Sequence, residues 1–570
     1  MMRKTRFVPE WTETAPPRQS FRSIVKYGSP TAFKHPSAKW FQMIKDEFSL
    51  RDEDFMHKRG EGLTQVRLDR PLGLDSRHQE RMEKIVGTQN IATDDYSRVK
   101  YSYGKTTEEL MELRKGIIRE VADLVVHPRS KEDVQEIVTY CNQEKIPITV
   151  FAAGTSVNFG VRPSKGGITL VLSTHMNKVL EVNEINQTAR VQPGIFGPAY
   201  EEALNRAPEL FGSRRRFTCG HFPQSFEYST VGGWIVTFGS GQASSYYGDA
   251  CDLVISQEYV TSAGTFKTHD YPATATGPKV NDIMKGSEGT FGILVEVTMK
   301  VYRYMPENTQ RFSFMFPSWE AAVDASREIC QAEFGMPAIY RISDPEETDR
   351  GLKLYGMPSI VDGYLQKKGF MPMQRCLCLG NAEGEKHFAR NIRNQVHRIA
   401  KSHGAVSLTG YPIRKWEHTR YTEPYMREDL QDFGIVIDTL ETSVTWADLH
   451  RVHQGVREYI KNRPKTMCMT HASHFYAQGT NLYFIFLATI DDPDEYRSFH
   501  RGIVDRIIQC GGSPSHHHGI GRLLAPWIEE HLGSEQLAVL RALKRHFDPN
   551  GIMNPGGQLG LDMIPRKNQG

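Results

Sequence analysis

No hydrophobic run in this chain is long enough to cross a membrane. The longest, LYFIFLATI from Leu482, falls far short of the roughly 20 apolar residues a spanning helix needs. The eight cysteines are scattered through 570 residues, and only Cys376 and Cys378 stand close together, so neither a disulfide framework nor a zinc-ligand spacing emerges. Charge of neither sign prevails: 70 Lys and Arg against 67 Asp and Glu leave a net charge of +3, which gives no general reason to expect nucleic acid and confines any anion preference to a local patch. The opening MMRKTRFVPEWTE is basic but is followed by no apolar run, so a secretory signal is not expected and a cytoplasmic location is. No internal repeat or low-complexity tract interrupts a composition that is 39% hydrophobic and 24% charged, ordinary for a globular protein of several domains.

What is present has a changing texture. The first stretch is polar and rich in Arg, Lys and Pro, then carries Trp40, Phe41, Ile44 and Phe48 at helical spacing. This reads as an extended, solvated basic arm (Arg3 to Lys39) followed by helices, together residues 1–117. From about residue 118 short β-rich runs are broken by glycine turns. ADLVVHP reads as a strand, Ser130 can cap a helix whose Val134, Ile137, Val138 and Cys141 follow i, i+3, i+4, i+7, and IPITVFAAGTS reads as a strand entering a small-residue loop. A βαβ unit of this kind opens an α+β domain over 118–302. Longer helices such as SWEAAVDASREICQAEF, mixed with strands such as NLYFIFLATI, mark a second domain over 303–521, and 522–570 reads as a helix with a closing loop.

Three loops in the first of these domains combine Gly or Ala with Ser or Thr: FAAGTSVNFG, PQSFEYSTVGGWIVTFGSG and GSEGTFGILVEV. Small residues let backbone N–H groups approach an anion while hydroxyls add donors, so the three together suggest a pyrophosphate cradle. None is G-x-G-x-x-G at a strand-to-helix junction or G-x-x-x-x-G-K-[ST], which disfavours a Rossmann fold and a P-loop.

In this order, "GTSV", "STVGGW" and "GSEGTFG" resemble the FAD-binding domain of the vanillyl-alcohol oxidase family, and the later "SPSHHHGIG" and "DPNGIMNPG" narrow the resemblance to its alkyldihydroxyacetonephosphate synthase branch. It covers roughly residues 118–557. The resemblance implies a vanillyl-alcohol-oxidase-type (PCMH) FAD-binding domain with a mixed α/β cap domain and a helical N-terminal region. It places non-covalent FAD against Val150, Phe151, Ala152, Ala153, Gly154, Thr155 and Ser156; Gln224, Ser225, Phe226, Glu227, Tyr228, Ser229 and Thr230; Thr237, Phe238, Gly239 and Ser240; and Gly286, Ser287, Glu288, Gly289, Thr290, Phe291 and Gly292. His221 could also meet the cofactor. Two departures stand out. The family's GGGTS has Ala152 and Ala153 here, a strain of about 1 kcal/mol only if φ must be positive, and an expected Arg is replaced at Phe238, which removes a cation.

Residue by residue, the resemblance gives Tyr483 as the group that removes a substrate proton, Arg427 as the phosphate ligand, His516, His517 and His518 as active-site histidines, and Arg341 as a further residue needed for activity. It implies a reaction in which the acyl group of acyl-dihydroxyacetonephosphate is exchanged for a long-chain fatty alcohol, with FAD as a covalent electron sink and no net redox. It further implies a homodimer. Peripheral membrane contact would bring the lipid within reach, and the basic arm is one candidate for it. The N-terminal peroxisomal address of the eukaryotic relatives is not found, and the chain ends in RKNQG.

Residue type alone leaves other readings open. Adjacent histidines can bind a transition metal, although no Cys or acid sits at ligand spacing along the chain, or can occupy a solvated loop. An extended run would point His516 and His518 to one side and His517 to the other. Tyr483 could be a core aromatic, Arg427 a helix-surface residue and Arg341 a structural ion pair. The same three loops would also serve an FAD-linked dehydrogenase or oxidase of 2-hydroxy acids such as D-lactate or glycolate, or a non-catalytic flavin- or metal-binding protein.

Overall fold

A computed structural model describes residues 7–562; the arm's first residues, Arg3 among them, and the RKNQG end lie outside the described residues. The βαβ unit forms as its pattern requires. Strands Leu124–Val126 and Ile148–Phe151 flank Ile168–Val171 in parallel, and the helix Lys131–Glu144 between the first two buries Val134, Ile137, Val138 and Cys141. The Ser130 side chain accepts the Asp133 N–H at its start, satisfying one of the donors a helix N-terminus leaves open. An antiparallel five-stranded sheet follows, ordered Val179–Asn183, Thr188–Val191, Ile293–Lys300, Val254–Thr261 and Gly264–Lys267.

The end of the chain returns to this half. Leu537 and Phe547 share a core with Trp234, Tyr259 and Phe291, and the Ile148 N–H donates to the Ile552 carbonyl at 2.7 Å. The single helix expected here is two, Ile528–Leu532 and Ser534–Phe547. Gly533 between them takes φ +79°, a left-handed value that no right-handed helix can continue through.

The second half is built on an antiparallel seven-stranded sheet, ordered Val406–Ser407, Gln310–Phe316, Cys376–Ala382, Ile339–Ser343, Thr466–Phe475, Gly479–Thr489 and Ile435–Thr445. Side chains on a strand alternate between faces, and Gly479–Thr489 uses both. Phe484 and Phe486 enter a core with Val396, Val452 and Ile503 from the helices Lys386–Ser402, Leu449–Lys461 and Pro493–Gln509. Ile485 and Leu487 face the other way and meet Trp40, Phe41 and Ile44 of the N-terminal helix Ala38–Glu47. Burying each of those three side chains is worth about 1.5–3 kcal/mol.

The described part of the basic arm is only partly solvated, which corrects the expectation: Phe21, Arg22, Ile24, Val25 and Lys26 are buried, while Arg18 and Lys39 are exposed. Three of its basic side chains meet one acidic run of the second half. Arg22 grips Asp432 with two N–H groups, at 2.5 and 3.1 Å, and Arg114 joins the same carboxylate. Lys26 lies 3.4 Å from Glu428, and His35 bonds Asp429 at 2.8 Å. Buried opposite charges hold the arm because leaving any one of these acids unpaired would cost about 3–5 kcal/mol.

Candidate active site

Sheet register assembles the centre of the site. Glu441 lies opposite Tyr483, Tyr483 opposite His471, and His471 opposite Ser343, so four neighbouring strands present one row of side chains on a common face. The Tyr483 ring stacks on His471, with centroids 5.0 Å apart and planes 23° apart, and faces His517 at 6.1 Å and 14°. His518 meets the same ring edge-on at 5.9 Å, and the Tyr483 hydroxyl donates to Thr439 Oγ1 at 3.1 Å. All three family histidines and the tyrosine thus converge.

The triplet is not an extended run with alternating rings. Residues 513–521 form an irregular loop wrapped around the buried Glu441 carboxylate, which accepts the Ser515 hydroxyl at 2.6 Å and the N–H groups of His516, His517 and His518 at 2.6, 3.2 and 3.1 Å. Successive N–H groups aimed at one anion fan the rings: His516 and His517 are 5.2 Å apart at 80°, His517 and His518 4.6 Å apart at 65°. Burial alone would raise the Glu441 carboxyl, but His518, His516 and these donors hold it below its ordinary range. A second carboxylate, Glu288 of the third glycine loop, accepts the N–H groups of Ile520 and Gly521 at 2.7 and 2.9 Å, and Asn158 Nδ2 donates to the His518 carbonyl at 2.9 Å. The histidine loop is therefore clamped between the two halves of the molecule. Burial pushes His517 far below the ordinary imidazole value, and the surrounding His518, His474, His516 and His221 push the same way, so His517 is neutral.

An acid does stand near the histidines, 75 positions upstream of His516. Ligand atoms of Glu441, His516 and His517 lie within 4.8 Å of one another. The acceptor capacity of that carboxylate is spent on the loop, so its present role is structural support.

Arg341 reaches Tyr483 through intermediaries. Its guanidinium donates to Glu347, whose carboxylate lies 3.3 Å from His471 Nδ1, and His471 carries the Tyr483 ring on its face. Burial would raise Glu347, yet Arg341 and His471 together bring it down to about 2. Arg427, on the helix Glu423–Gln431, donates to the Lys105 carbonyl at 3.2 Å and to Thr107 Oγ1 at 2.5 Å, and stands 3.9 Å from Asp438. Thr107 and Asp438 line a small cleft together with Glu441, Ser515, His518, Tyr496 and His500. The guanidinium thus sits directly behind the wall of the cleft that holds the histidine loop.

The glycine loops pack on one another. Gly286 and Glu288 donate to the carbonyls of Ile235 and Val236, and a Cβ on Gly289 would come within 3.8 Å of Val150. Ala152 and Ala153 keep negative φ, so the alanines cost no backbone strain; the left-handed position is Gly154, at φ +68°. Phe238 is half exposed at φ +55°, with its ring lying where a side chain on Gly286 (φ +68°) would be. Gln224 and Glu227 spend their side chains on the second half, bonding the Arg420 carbonyl at 2.5 Å and the Tyr425 hydroxyl at 3.0 Å. Ser287 Oγ in the third loop lacks a partner among the described residues, as do both ring nitrogens of the buried His221 just before the second loop, which burial lowers to about 4. Glycine-permitted close approach beside an unspent buried hydroxyl is the chemistry a pyrophosphate requires, so the residues present fit FAD.

The sequence pattern does not single out His471, His474, Glu347, Asp249, Tyr476 or Glu441. His474 occupies a bulge of Thr466–Phe475 at φ +54° and stacks on His516 at 5.4 Å. No local spacing signals these residues, because strand register and loop packing bring them together.

Comparison with known proteins agrees with this construction. The FAD binding domain family matches residues 122–269, and the family of FAD linked oxidases, C-terminal domain, matches residues 305–557. The p-cresol methylhydroxylase structure with substrate bound shares the fold, at 17% identity and a TM-score of 0.61 over 87% of this chain and 99% of that one. A solved alkyldihydroxyacetonephosphate synthase superposes with a TM-score of 0.79 at 28% identity, covering 93% of this chain and 98% of its own. The alkyldihydroxyacetonephosphate synthase of Dictyostelium discoideum is 32% identical over 485 residues, 82% of this chain and 78% of that protein. A likeness of that extent, on an FAD-binding scaffold whose histidine loop meets Tyr483, makes this chain a member of the alkyldihydroxyacetonephosphate synthase family.

Proposed function

We propose that this protein exchanges the acyl group of acyl-dihydroxyacetonephosphate for a long-chain fatty alcohol, in the cytoplasm at a membrane surface and with no net redox. FAD, held by residues 150–156, 224–230, 237–240 and 286–292, supplies when bound an electrophilic centre that takes up and returns an electron pair. The observation that carries the reading is Tyr483 clasped between the imidazoles of His471 and His517, beside a cleft backed by Arg427.

Proton removal beside the substrate ketone is the task of Tyr483 and its neighbours. A phenol of ordinary pKa near ~10 is a weak base at neutral pH, so it needs a neutral imidazole at hand to relieve it of its proton. Burial and its neighbours keep His517 in that state. Arg341 acts as a positioning residue, through Glu347 and His471. Arg427 and Thr107 offer a guanidinium fork and a hydroxyl to the phosphate.

Membrane contact fits a different surface from the arm. Helix Ser359–Lys367 and the turn after it expose Ile360 (85%), Val361, Tyr364, Met371 and Met373 beside the exposed Lys367 and Lys368. Apolar side chains flanked by lysines suit an anionic bilayer surface, and no helix among the described residues is long and apolar enough to cross one. The homodimer rests on the resemblance and is read by sedimentation.

The test is incubation of the yellow holoprotein with acyl-dihydroxyacetonephosphate and labelled hexadecanol. Labelled ether without loss of flavin absorbance is the expected result. Absence of ether, with flavin bleached anaerobically by D-lactate or glycolate, would assign hydroxy-acid oxidation instead.

A further inference from the structure

Asp249 begins a hydrogen-bond chain whose direction follows from counting protons. Burial would raise its carboxyl, but the Ser240 hydroxyl, His474 and His516 hold it below the ordinary value, so it is an ion that can only accept. It accepts from Ser240 Oγ and, at 2.8 Å, from the Tyr476 hydroxyl. Burial and the adjacent Asp249 push the Tyr476 phenol up, so it keeps the one proton it has, and that proton is committed to Asp249. The 2.8 Å contact between the Tyr476 oxygen and His516 Nε2 therefore has Nε2–H donating. A His516 that carries its single proton on Nε2 has a bare Nδ1, and His517 Nδ1 lies 3.0 Å from it, so the proton between the two rings belongs to His517. Glu441 Oε2, 3.5 Å from the same His517 Nδ1, favours a proton there as well. What remains on His517 is an Nε2 lone pair, and that atom has no hydrogen-bond partner among the described residues.

We propose that Asp249 and Tyr476 are positioning residues that make His517 Nε2 the proton acceptor beside Tyr483, and that a proton taken there ends as positive charge on His516. Nε2 of His517 gains the proton, the Nδ1 proton of His517 passes to Nδ1 of His516, and His517 returns to a neutral ring protonated on Nε2. One proton and one positive charge enter the pair, and no electron moves. The charge settles on His516 because His517 is enclosed by His518, His474, His221 and Tyr483, whereas His516 is one bond from Tyr476, which is 36% exposed, and two from the Asp249 carboxylate.

The tautomers rest on the hydrogen-bond geometry and on an ionised Asp249 beside a protonated Tyr476; their use in proton removal rests on the synthase reading. The experiment is a two-bond ¹H–¹⁵N correlation spectrum of the holoprotein labelled with ¹⁵N-histidine, at pH 8, with resonances assigned by His516→Gln and His517→Gln. The expected spectrum has His516 protonated on Nε2 and His517 on Nδ1. A resting His517 protonated on Nε2 would overturn the proposal, whatever any variant does. Tyr476→Phe, with FAD absorbance retained, should release the His516 tautomer and lower kcat about 10²-fold at unchanged KM. If its tautomers and kcat match those of the unmodified protein, the positioning role is wrong. Correct tautomers in a protein that forms no ether would remove the synthase reading and leave the assignment standing.

Discussion

Replacing Glu441 by glutamine exchanges one carboxylate oxygen for an NH2 group and removes the anion around which the histidine loop is folded. Oε1 accepts from the Ser515 hydroxyl and from the N–H groups of His517 and His518; Oε2 accepts from the N–H of His516 at 2.6 Å. A glutamine oxygen can keep the first three, but its NH2 then confronts the His516 N–H, donor against donor. Losing one charge-assisted bond costs about 1.5–3 kcal/mol, and stranding a buried N–H about 1–3 kcal/mol more. A total of about 3 kcal/mol corresponds to roughly a hundredfold rise in the population of the opened loop. Hydrogen exchange of peptides covering residues 513–521 reads this directly, and kcat should fall with it because His517 loses its place over Tyr483. The pH dependence supplies an internal control. The Glu441 carboxyl is held below its ordinary 4.5, so its contribution is complete above that value and is lost as the pH falls through the lower folded-state value. The unmodified protein should show an acid loss of loop protection that Glu441→Gln lacks. Protection and kcat within twofold of the unmodified protein would refute the idea that this carboxylate holds the loop.

Tyr483→Phe should retain FAD and fold while lowering kcat by about 10²–10⁴, the range of a lost general base; an unchanged rate would return Tyr483 to the core. Arg341→Met should strand the buried Glu347 at a cost of about 3–5 kcal/mol and lower kcat at little change in KM, with Arg341→Lys recovering part of the loss. Because Glu347 is lowered to about 2, its stabilisation is whole above an ordinary 4.5 and is lost as the pH falls toward 2, a limb that acid unfolding of Arg341→Met should lack. Gly286→Ala should release FAD, since its Cβ meets the Phe238 ring at φ +68°. Adding Phe238→Ala should restore part of the binding, short by the left-handed strain of about 1 kcal/mol, as measured by flavin retained on gel filtration.

Local signals in the sequence proved readable where the physics is local. Ser130 caps its helix, the i, i+3, i+4, i+7 residues of that helix are buried, and two of the three small-residue loops adjoin strand ends, after Ile148–Phe151 and before Ile293–Lys300. The histidine triplet, Tyr483, Arg427 and Arg341 were reached through family likeness, and the first two meet in space. What could not be read depends on long-range register. His471 and Glu441 flank Tyr483 only because strands Thr466–Phe475 and Ile435–Thr445 pair with Gly479–Thr489 in one alignment, and a shift of one residue would turn each to the other face. The basic arm looked solvated because its partner acids, Glu428, Asp429 and Asp432, are some 400 positions away.

The placement of that arm also sets the field that an anionic substrate meets. Arg427 shares its helix with Glu428 and Asp429, and Asp432 follows at the helix end, so the phosphate-seeking guanidinium sits within five residues of three carboxylates. Arg22 and Lys26 from the arm, with Arg114, offset those charges, so that they subtract less from the positive potential around Arg427. Coulomb attraction toward the cleft is thus supplied jointly by the N-terminal arm and by Arg427 of the second half. Neutralising the arm cations would slow capture of the phosphorylated substrate most at low ionic strength, where screening is weakest.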